Sequence, residues 1–209
     1  GKQVILVDAN IATPNLGLQL GLLNPEGTLN KFLKKEKGLH DIIYRHESGV
    51  TLIPSSLSLQ EYQKTNPQKF TEIFEHLDEL SEFVLIDAPS GLGYEVTNIL
   101  KNSDEVVLVV NPTLSSVMDA LKTIQLATAH NNTVAGAILN MTSFRGWTEM
   151  KPEEIEKTLG VPILANIRHD RKFRKALLEQ SPLHHLYPRS KAAKEFKKVA
   201  RHLCMMPEK

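Results

Sequence analysis

The sequence predicts an α/β fold with a mostly parallel, doubly wound sheet covered by helices on both faces. Short apolar segments rich in β-branched residues alternate with longer segments in which apolar residues recur at helical spacing. The short segments are apolar without alternation, as in parallel strands buried on both faces. The chain has 209 residues, of which 41% are hydrophobic and 23% charged, so it is long enough to bury a core of this kind.

Four strands are predicted from the strongest apolar runs, at residues 4–7, 83–86, 106–110 and 134–139, and two weaker ones at residues 50–53 and 162–167. Helical stripes begin at Phe70, Val117 and Phe173. Ser116 with Asp119 has the spacing of a capping box, and Asn15 is a candidate helix cap. No repeat or linker divides the chain, so residues 1–209 are predicted to form a single domain, with residues 55–67 as a surface excursion.

Composition excludes several kinds of site. The one cysteine, Cys204, cannot form an internal disulfide, a four-cysteine zinc site or a self-contained iron–sulfur cluster, which favours a reducing compartment. No apolar run approaches the roughly 20 residues that span a bilayer. We therefore expect a cytoplasmic protein.

Charge is shared unevenly along the chain. Residues 1–144 carry 10 Lys and Arg against 16 Asp and Glu, whereas residues 145–209 carry 15 against 8. The last helical stripe, at residues 192–203, is flanked by lysines. The simplest interpretation is a helix that packs its stripe on the sheet and keeps its lysines in water. An anionic membrane, nucleic acid or an acidic protein are the alternative partners for this basic third.

Two aspartates end predicted strands. Asp8 follows the apolar residues 4–7, and Asp87 follows residues 83–86. The carboxyl ends of parallel strands are where ligands bind, and a carboxylate placed there needs a cation or several hydrogen bonds. A hydrated Mg²⁺ bound to phosphates meets that need, whereas an aspartate that caps the next helix gives the same sequence pattern.

The segment after Asp87 reads Ala-Pro-Ser-Gly-Leu-Gly, and its glycines permit close approach of the backbone to a phosphate. It is similar to a Walker B aspartate followed by a switch loop. A phosphate loop of the form Gly-x-x-x-x-Gly-Lys-Ser/Thr is absent from residues 1–209, and Gly1-Lys2 is followed by Gln3 and a strand rather than a helix.

Five segments together carry a more specific resemblance: GKQVILVDANIATPNLGLQLGL, VLIDAPSGLG, VVLVVNPTLSSVMDALKT, VAGAILNMTS and GVPILANIRHDRKFRKAL. In this order and at these separations they resemble the MinD/ParA family of deviant Walker P-loop ATPases, with most similarity to archaeal MinD-like proteins. The resemblance spans essentially the whole chain.

The resemblance implies a role for each of several residues. It makes Asp8 the catalytic carboxylate beside the attacking water and Asp87 the Walker B carboxylate, which holds Mg²⁺ through water. It makes Gly91 the glycine that senses the γ-phosphate. It places Asn140 at the adenine edge and Arg168 on the other side of the base pocket. The family usually has proline where Arg168 stands.

The family's first strand, its phosphate loop and its first helix, about 30 residues together, should precede Gly1. That strand lies centrally in the family's sheet, and its loss would leave buried backbone groups unpaired at roughly 1–3 kcal/mol each. We therefore expect residues 1–209 to be an N-terminally incomplete part of a larger domain.

The function implied is that of a Mg-ATPase switch. Such a protein dimerises on ATP, responds to an activating or cargo protein and acts in spatial positioning such as division-site selection. We expect it in the cytoplasm, and peripheral contact with the inner face of the cell membrane is one of the open alternatives for its surface partner. Two alternatives remain open: a nucleotide-free interaction module, and a ParA-type DNA-partitioning ATPase. An iron–sulfur carrier of the same superfamily is disfavoured because no paired cysteines exist.

Overall fold

The structure is a computed structural model that describes residues 2–77, 79–143 and 150–205. The strands are β1 (Val4–Asp8), β2 (Tyr44–Arg45), β3 (Thr51–Ile53), β4 (Phe83–Asp87), β5 (Glu105–Val110), β6 (Thr133–Thr142) and β7 (Ile163–Arg168). The helices are α1 (Leu16–Gln19), α2 (Leu29–Leu33), α3 (Leu59–Lys64), α4 (Phe70–Leu77), α5 (Tyr94–Lys101), α6 (Leu114–Ala129), α7 (Pro152–Leu159), α8 (Arg171–Leu178), α9 (Leu183–Leu186) and α10 (Lys191–Met205).

The chain divides into two compact units. The first comprises residues 1–102 together with residues 177–182, and the second comprises residues 103–176 together with residues 183–209. Each unit has its own sheet and its own buried apolar residues. Within the described ranges, no helix is both long and apolar enough to cross a bilayer.

The sheet of the first unit has the strand order β2-β3-β1-β4, with β1 parallel to both of its neighbours and β2 antiparallel to β3. Alternate side chains of a strand point to opposite faces. Ile5 and Val7 therefore share one face with Val84 and Ile86, and all four pack into a core with α2, α4 and α5. The opposite face carries Asp8 and Asp87.

The sheet of the second unit is parallel, with the order β5-β6-β7. One face packs on α6 and α7 through Leu108, Val110 and Leu139, and the other packs on α8, α9 and α10 through Ile138 and Ile167. The central strand β6 also needs a glycine at position 136, because a Cβ there would lie 2.6 Å from the carbonyl oxygen of Pro162. This sheet thus has helices on both faces, as predicted.

Every strand predicted from the sequence is present, with ends that differ by at most three residues from the prediction. The prediction of burial on both faces is correct for β6 but wrong for β4 and β5, in which Leu85 is 45% exposed and Val109 is 66% exposed. Leu85 points to the face of its sheet opposite to the core that Val84 and Ile86 contact, and Val109 to the face opposite to Leu108 and Val110. The described helices leave these two positions uncovered, so only one face of each strand is buried there.

Two other local predictions need correction. The N-cap of α6 is Thr113, whose hydroxyl accepts a hydrogen bond from the N–H of Ser116, so the helix begins before the predicted capping box. The segment at residues 55–67 is not merely a surface excursion, because Ser55, Ser56 and Thr65 are buried. Their hydroxyls take part in a polar network beneath the candidate site described next.

Candidate functional site

Asp8 and Asp87 are the last residues of two adjacent parallel strands and lie opposite each other in register. The backbone N–H of Ala9 donates to the carbonyl oxygen of Asp87 at 3.0 Å, which continues the pairing one residue further. Side chains in register on neighbouring strands point to the same face. The structure therefore brings the two sequence-predicted carboxylates together at the carboxyl rim of the sheet.

Asp8 has one carboxylate oxygen engaged and one without a partner. Its Oδ2 accepts hydrogen bonds from the backbone N–H groups of Asn15 at 3.2 Å and Leu16 at 3.0 Å, at the start of α1. Its Oδ1 is buried and has no hydrogen-bond partner among the described residues. Asp8 thus caps a helix, as one interpretation of the sequence predicts, and still presents a buried acceptor that a cation or a water donor can satisfy.

The position of the candidate cap at Asn15 is correct, but its side chain does not act as one. The Asn15 amide donates to the carbonyl oxygen of Thr13 at 2.9 Å, and no side-chain hydrogen bond caps α1 from this residue. Asp8 supplies that interaction from the end of β1. The helix start and the carboxylate therefore hold each other in place.

Burial raises the pKa of Asp8 to about 6, and the neighbouring charge of Asp87 adds to this rise against the lowering effect of the Leu16 N–H. Desolvation also raises the pKa of Asp87, although this residue is exposed overall. Both shifts show that the two negative charges are poorly compensated by the protein itself. A divalent cation near this rim would offset the electrostatic repulsion between the two carboxylates.

The loop after Asp87 leads into α5 and contains Gly91, whose φ of 97° lies in the left-handed region. No other atom lies within 4 Å of the place where a Cβ would stand, so the requirement for glycine is conformational rather than steric. The loop is exposed, and Leu92 on it and Tyr94 at the start of α5 present apolar surface.

A network of buried polar residues hydrogen-bonds to the main chain of Asp8. This network was not predicted from the sequence. The hydroxyl of Ser55 donates to the carbonyl oxygen of Asp8 at 2.6 Å. The next residue, Ser56, donates its N–H to the side chain of Asn30, which in turn donates to the hydroxyl of Thr65. The detectable signal was the Pro-Ser-Ser sequence directly after β3, since polar residues at that rim are expected to serve the site.

Asn140 and Arg168 lie in the second unit, near the carboxyl ends of β6 and β7. Asn140 is half-buried, and its side-chain amide makes no hydrogen bond to any described residue. Arg168 is exposed and lies opposite Thr142 in the register of the two strands. These two residues lie at the carboxyl rim of the second unit's sheet, whereas Asp8 and Asp87 lie at the carboxyl rim of the first unit's sheet.

Comparisons with known proteins identify the family. Residues 68–204 match the ParA family, described as NUBPL iron-transfer P-loop NTPases. An ATP-binding protein of Methanocaldococcus jannaschii is 36% identical over 200 residues, which cover 96% of this chain and 75% of the relative. The chain belongs to the ParA/MinD family of P-loop NTPases. The resemblance inferred from the five sequence segments is confirmed.

The chain is also similar to two MinD proteins, one by sequence and one by structure. The septum site-determining protein MinD of Bacillus subtilis is 27% identical over 221 residues, which cover 97% of this chain and 78% of that protein. The structure of MinD from Pyrococcus horikoshii, which is complexed with Mg-ADP, matches with a TM-score of 0.91 and 30% identity over 98% of this chain and 84% of that one. The predicted α/β fold with mostly parallel sheets is confirmed.

The family assignment supports a nucleotide-binding NTPase with relatives in cell division and positioning. The matching family description mentions iron transfer, but this chain has one cysteine, Cys204, in its entire sequence. Iron–sulfur clusters are held by several thiolates from one or more chains.

Proposed function

We propose that this protein is a Mg-ATPase switch of the MinD type. The observation that carries the proposal is the pair formed by Asp8 and Asp87, in register at one sheet rim, with a buried carboxylate oxygen that no described residue satisfies. The family assignment supplies the nucleotide class, because relatives are ATP-binding proteins and one is complexed with Mg-ADP.

The donor set suits magnesium. Mg²⁺ prefers oxygen ligands, keeps several waters and is held by one or two carboxylates together with phosphates. Asp87 is exposed at the rim and would hold the ion through water, while the raised pKa values of both carboxyls indicate a place that gains from a positive charge. When bound, the ion would neutralise negative charge on the phosphates.

Asp8 orients the water that attacks the γ-phosphate in line with the leaving oxygen. The two backbone bonds to its Oδ2 fix the side chain, and the Ser55 bond to its carbonyl oxygen holds the main chain, so Oδ1 keeps one direction. A fixed acceptor raises the fraction of bound waters that are aligned for attack. Asp8 is ionised for the most part at neutral pH, because its pKa is about 6.

Gly91 acts as the γ-phosphate sensor in this proposal, because its loop follows Asp87 directly and its left-handed backbone can rearrange without moving a side chain. Asn140 recognises adenine through its amide, which has a donor and an acceptor and makes no hydrogen bond to a described residue. Arg168 lines the same base pocket. These roles follow the family resemblance residue by residue.

The phosphate loop belongs to a segment that precedes Gly1 in the complete protein. The outer side of β4 supports this part of the proposal: the strand reads Phe-Val-Leu-Ile-Asp, and such apolar strands are rarely left as exposed edges. Leu85 on this strand is largely exposed on the face that carries the two aspartates. An upstream strand that pairs with β4, followed by a helix, would cover this surface.

Apolar surface near the same rim supports a proposal of ATP-dependent homodimerisation. Four large apolar side chains are exposed on the segments after β3 and β4, which is unusual for a surface that meets only water. They are Leu57, Leu59, Leu92 and Tyr94. We propose that a second copy of the chain covers them when ATP is bound and that an activating or cargo protein binds the dimer.

The second unit has a basic surface on α8 and α10. In α10, Ala192, Ala193 and Val199 are buried in the core, so the helix stripe packs inside the unit. The lysines of α10 face outward together with the basic residues of α8, and an edge-to-face contact between Phe173 and Phe196 joins these helices. We propose that this surface provides peripheral, electrostatic contact with the anionic inner face of the cell membrane for an otherwise cytoplasmic protein.

The same surface supports the second candidate function, a ParA-type ATPase that partitions DNA. Two binding assays separate the candidates: one uses vesicles containing anionic lipid and the other uses duplex DNA, each over a series of salt concentrations. Binding to vesicles alone supports the MinD type. Steeply salt-dependent binding to DNA supports the partitioning type.

The test of nucleotide binding compares this chain with a version that is extended by its natural upstream coding sequence. The ATPase proposal predicts micromolar or tighter Mg-ATP binding by the extended protein, measured by calorimetry, and much weaker binding by residues 1–209. Equal and negligible binding by both proteins would contradict it. That result would favour the alternative of a nucleotide-free interaction module.

A further inference from the structure

The carboxyl end of β6 contains a bulge next to the proposed adenine-binding residue. Leu139 lies opposite Asn166 and Thr142 lies opposite Arg168, so β6 has one more residue than β7 between these two pairs. Met141 takes up the difference with a φ of 56°, and its side chain is 60% exposed. A residue other than glycine in this left-handed conformation costs about 1–2 kcal/mol.

Thr142 closes the bulge on the side away from Asn140. This residue is buried, and its hydroxyl donates to the Oδ1 of Asn166 on β7 at 2.6 Å. Its carbonyl oxygen accepts a hydrogen bond from the N–H of His169 at 3.0 Å. Strained backbone persists only where surrounding contacts hold it in place. These two hydrogen bonds hold the bulge in its strained conformation.

We propose that Thr142 is a positioning residue that sets the preference for adenine by holding the bulge, and with it the amide of Asn140. This inference rests on the proposed function, in which Asn140 binds the base. An amide offers one donor and one acceptor, which pair with adenine N7 and N6 at the same time. Guanine presents two acceptors at the matching positions, so one of the two bonds is lost.

The bulge matters because strand register controls the direction of every side chain. A shift by one residue turns a side chain to the opposite face of the sheet. If the Thr142 bond is removed, the extra residue is free to redistribute along β6 and the amide of Asn140 loses its fixed direction. Adenine then loses one of its two hydrogen bonds to the amide, whereas guanine forms only one in either case. The affinities for ATP and GTP therefore become more similar.

The test uses the complete protein and two substitutions of one residue. Thr142→Val keeps the shape and removes the hydroxyl, whereas Thr142→Ser keeps the hydroxyl. Dissociation constants for ATP and GTP are measured for each protein by displacement of a fluorescent ATP analogue in the presence of Mg²⁺. We expect the valine variant to lose roughly tenfold in the ratio of GTP to ATP dissociation constants, the lower part of the range for a bidentate contact.

The serine variant should restore the ratio of the unmodified protein. An unchanged ratio in Thr142→Val, an equal weakening of ATP and GTP, or a failure of serine to restore the ratio would overturn the inference. If Thr142→Val does not fold, Asn166→Ala breaks the same bond from β7 and should give the same loss of preference. Absence of nucleotide binding by the unmodified protein would instead refute the proposed function itself.

Discussion

At the scale of single residues, Asp8 serves two purposes with two oxygens. Oδ2 holds the first backbone N–H groups of α1, and Oδ1 is buried without a partner among the described residues. The sequence pattern of an apolar run followed by aspartate predicted either a helix cap or a ligand-binding carboxylate. The structure shows the cap directly and leaves the second oxygen available for the chemistry that we propose.

Asp8 makes the stability of the nucleotide-free protein depend on pH. The folded chain raises the pKa of this carboxyl from 3.8 to about 6, so the folded state binds the proton more tightly than the unfolded chain. The stability that this group contributes is full below about pH 4 and is lost as pH rises to about 6. Asp8→Asn keeps an acceptor for the Leu16 N–H, and we expect it to be about 1–3 kcal/mol more stable than the unmodified protein at pH 7.5.

Urea unfolding in a chelating buffer measures this difference at pH 7.5 and again near pH 4.5, where the gap should shrink. Asp119→Asn is the control, because Asp119 is an exposed carboxylate on α6. The account of Asp8 would be wrong if the asparagine variant were less stable than the unmodified protein at both pH values.

Gly91 provides a second residue-scale prediction with a close control. Gly91 and Gly49 both have a left-handed φ, 97° and 88°, and a Cβ at either position would meet no atom within 4 Å. Gly91→Ala and Gly49→Ala should therefore each cost about 1 kcal/mol of stability. We expect only Gly91→Ala to reduce the preference for ATP over ADP, measured as a ratio of dissociation constants. Similar ratios in the two variants would remove the sensor role.

At the scale of elements, the sequence was sufficient to locate the parallel strands, because uninterrupted apolar runs rich in β-branched residues are typical of buried parallel strands. It missed β2, a two-residue antiparallel strand that has no apolar run. It could not locate the start of α6, since Thr113 and Ser116 are both good caps and only the backbone decides between them. It also missed the buried positions of Ser55 and Thr65. These hydroxyls are buried because they bond to Asp8 and Asn30, which are distant in sequence.

The pairing of β6 with β7 gives a prediction at this scale. A Cβ on Gly136 would lie 2.6 Å from the Pro162 carbonyl oxygen and 2.7 Å from the Leu164 side chain. Gly136→Ala should force the two strands apart and cost roughly 1–3 kcal/mol beyond the backbone effect seen in Gly49→Ala. Denaturant unfolding measures both variants. An equal loss of stability in the two would show that the strands adapt without strain.

At the scale of the whole molecule, sequence order was more informative than composition. Five segments in a fixed order indicated the family, and the comparisons confirmed it. The placement of Asp8 beside Asp87 followed from the rule that parallel strands end at one rim. The roles of Gly91, Asn140 and Arg168 could come only from the resemblance, since no spacing in the sequence distinguishes a base-binding amide from an ordinary turn residue.

The central claim is that Asp8 acts on the water that attacks ATP. The most direct test is the steady-state rate of phosphate release from Mg-ATP by the complete protein, the Asp8→Ala variant and the Asp119→Ala control. We expect Asp8→Ala to lose at least about 100-fold in rate and the control to stay within about twofold of the unmodified protein. An unchanged rate in Asp8→Ala would contradict the account.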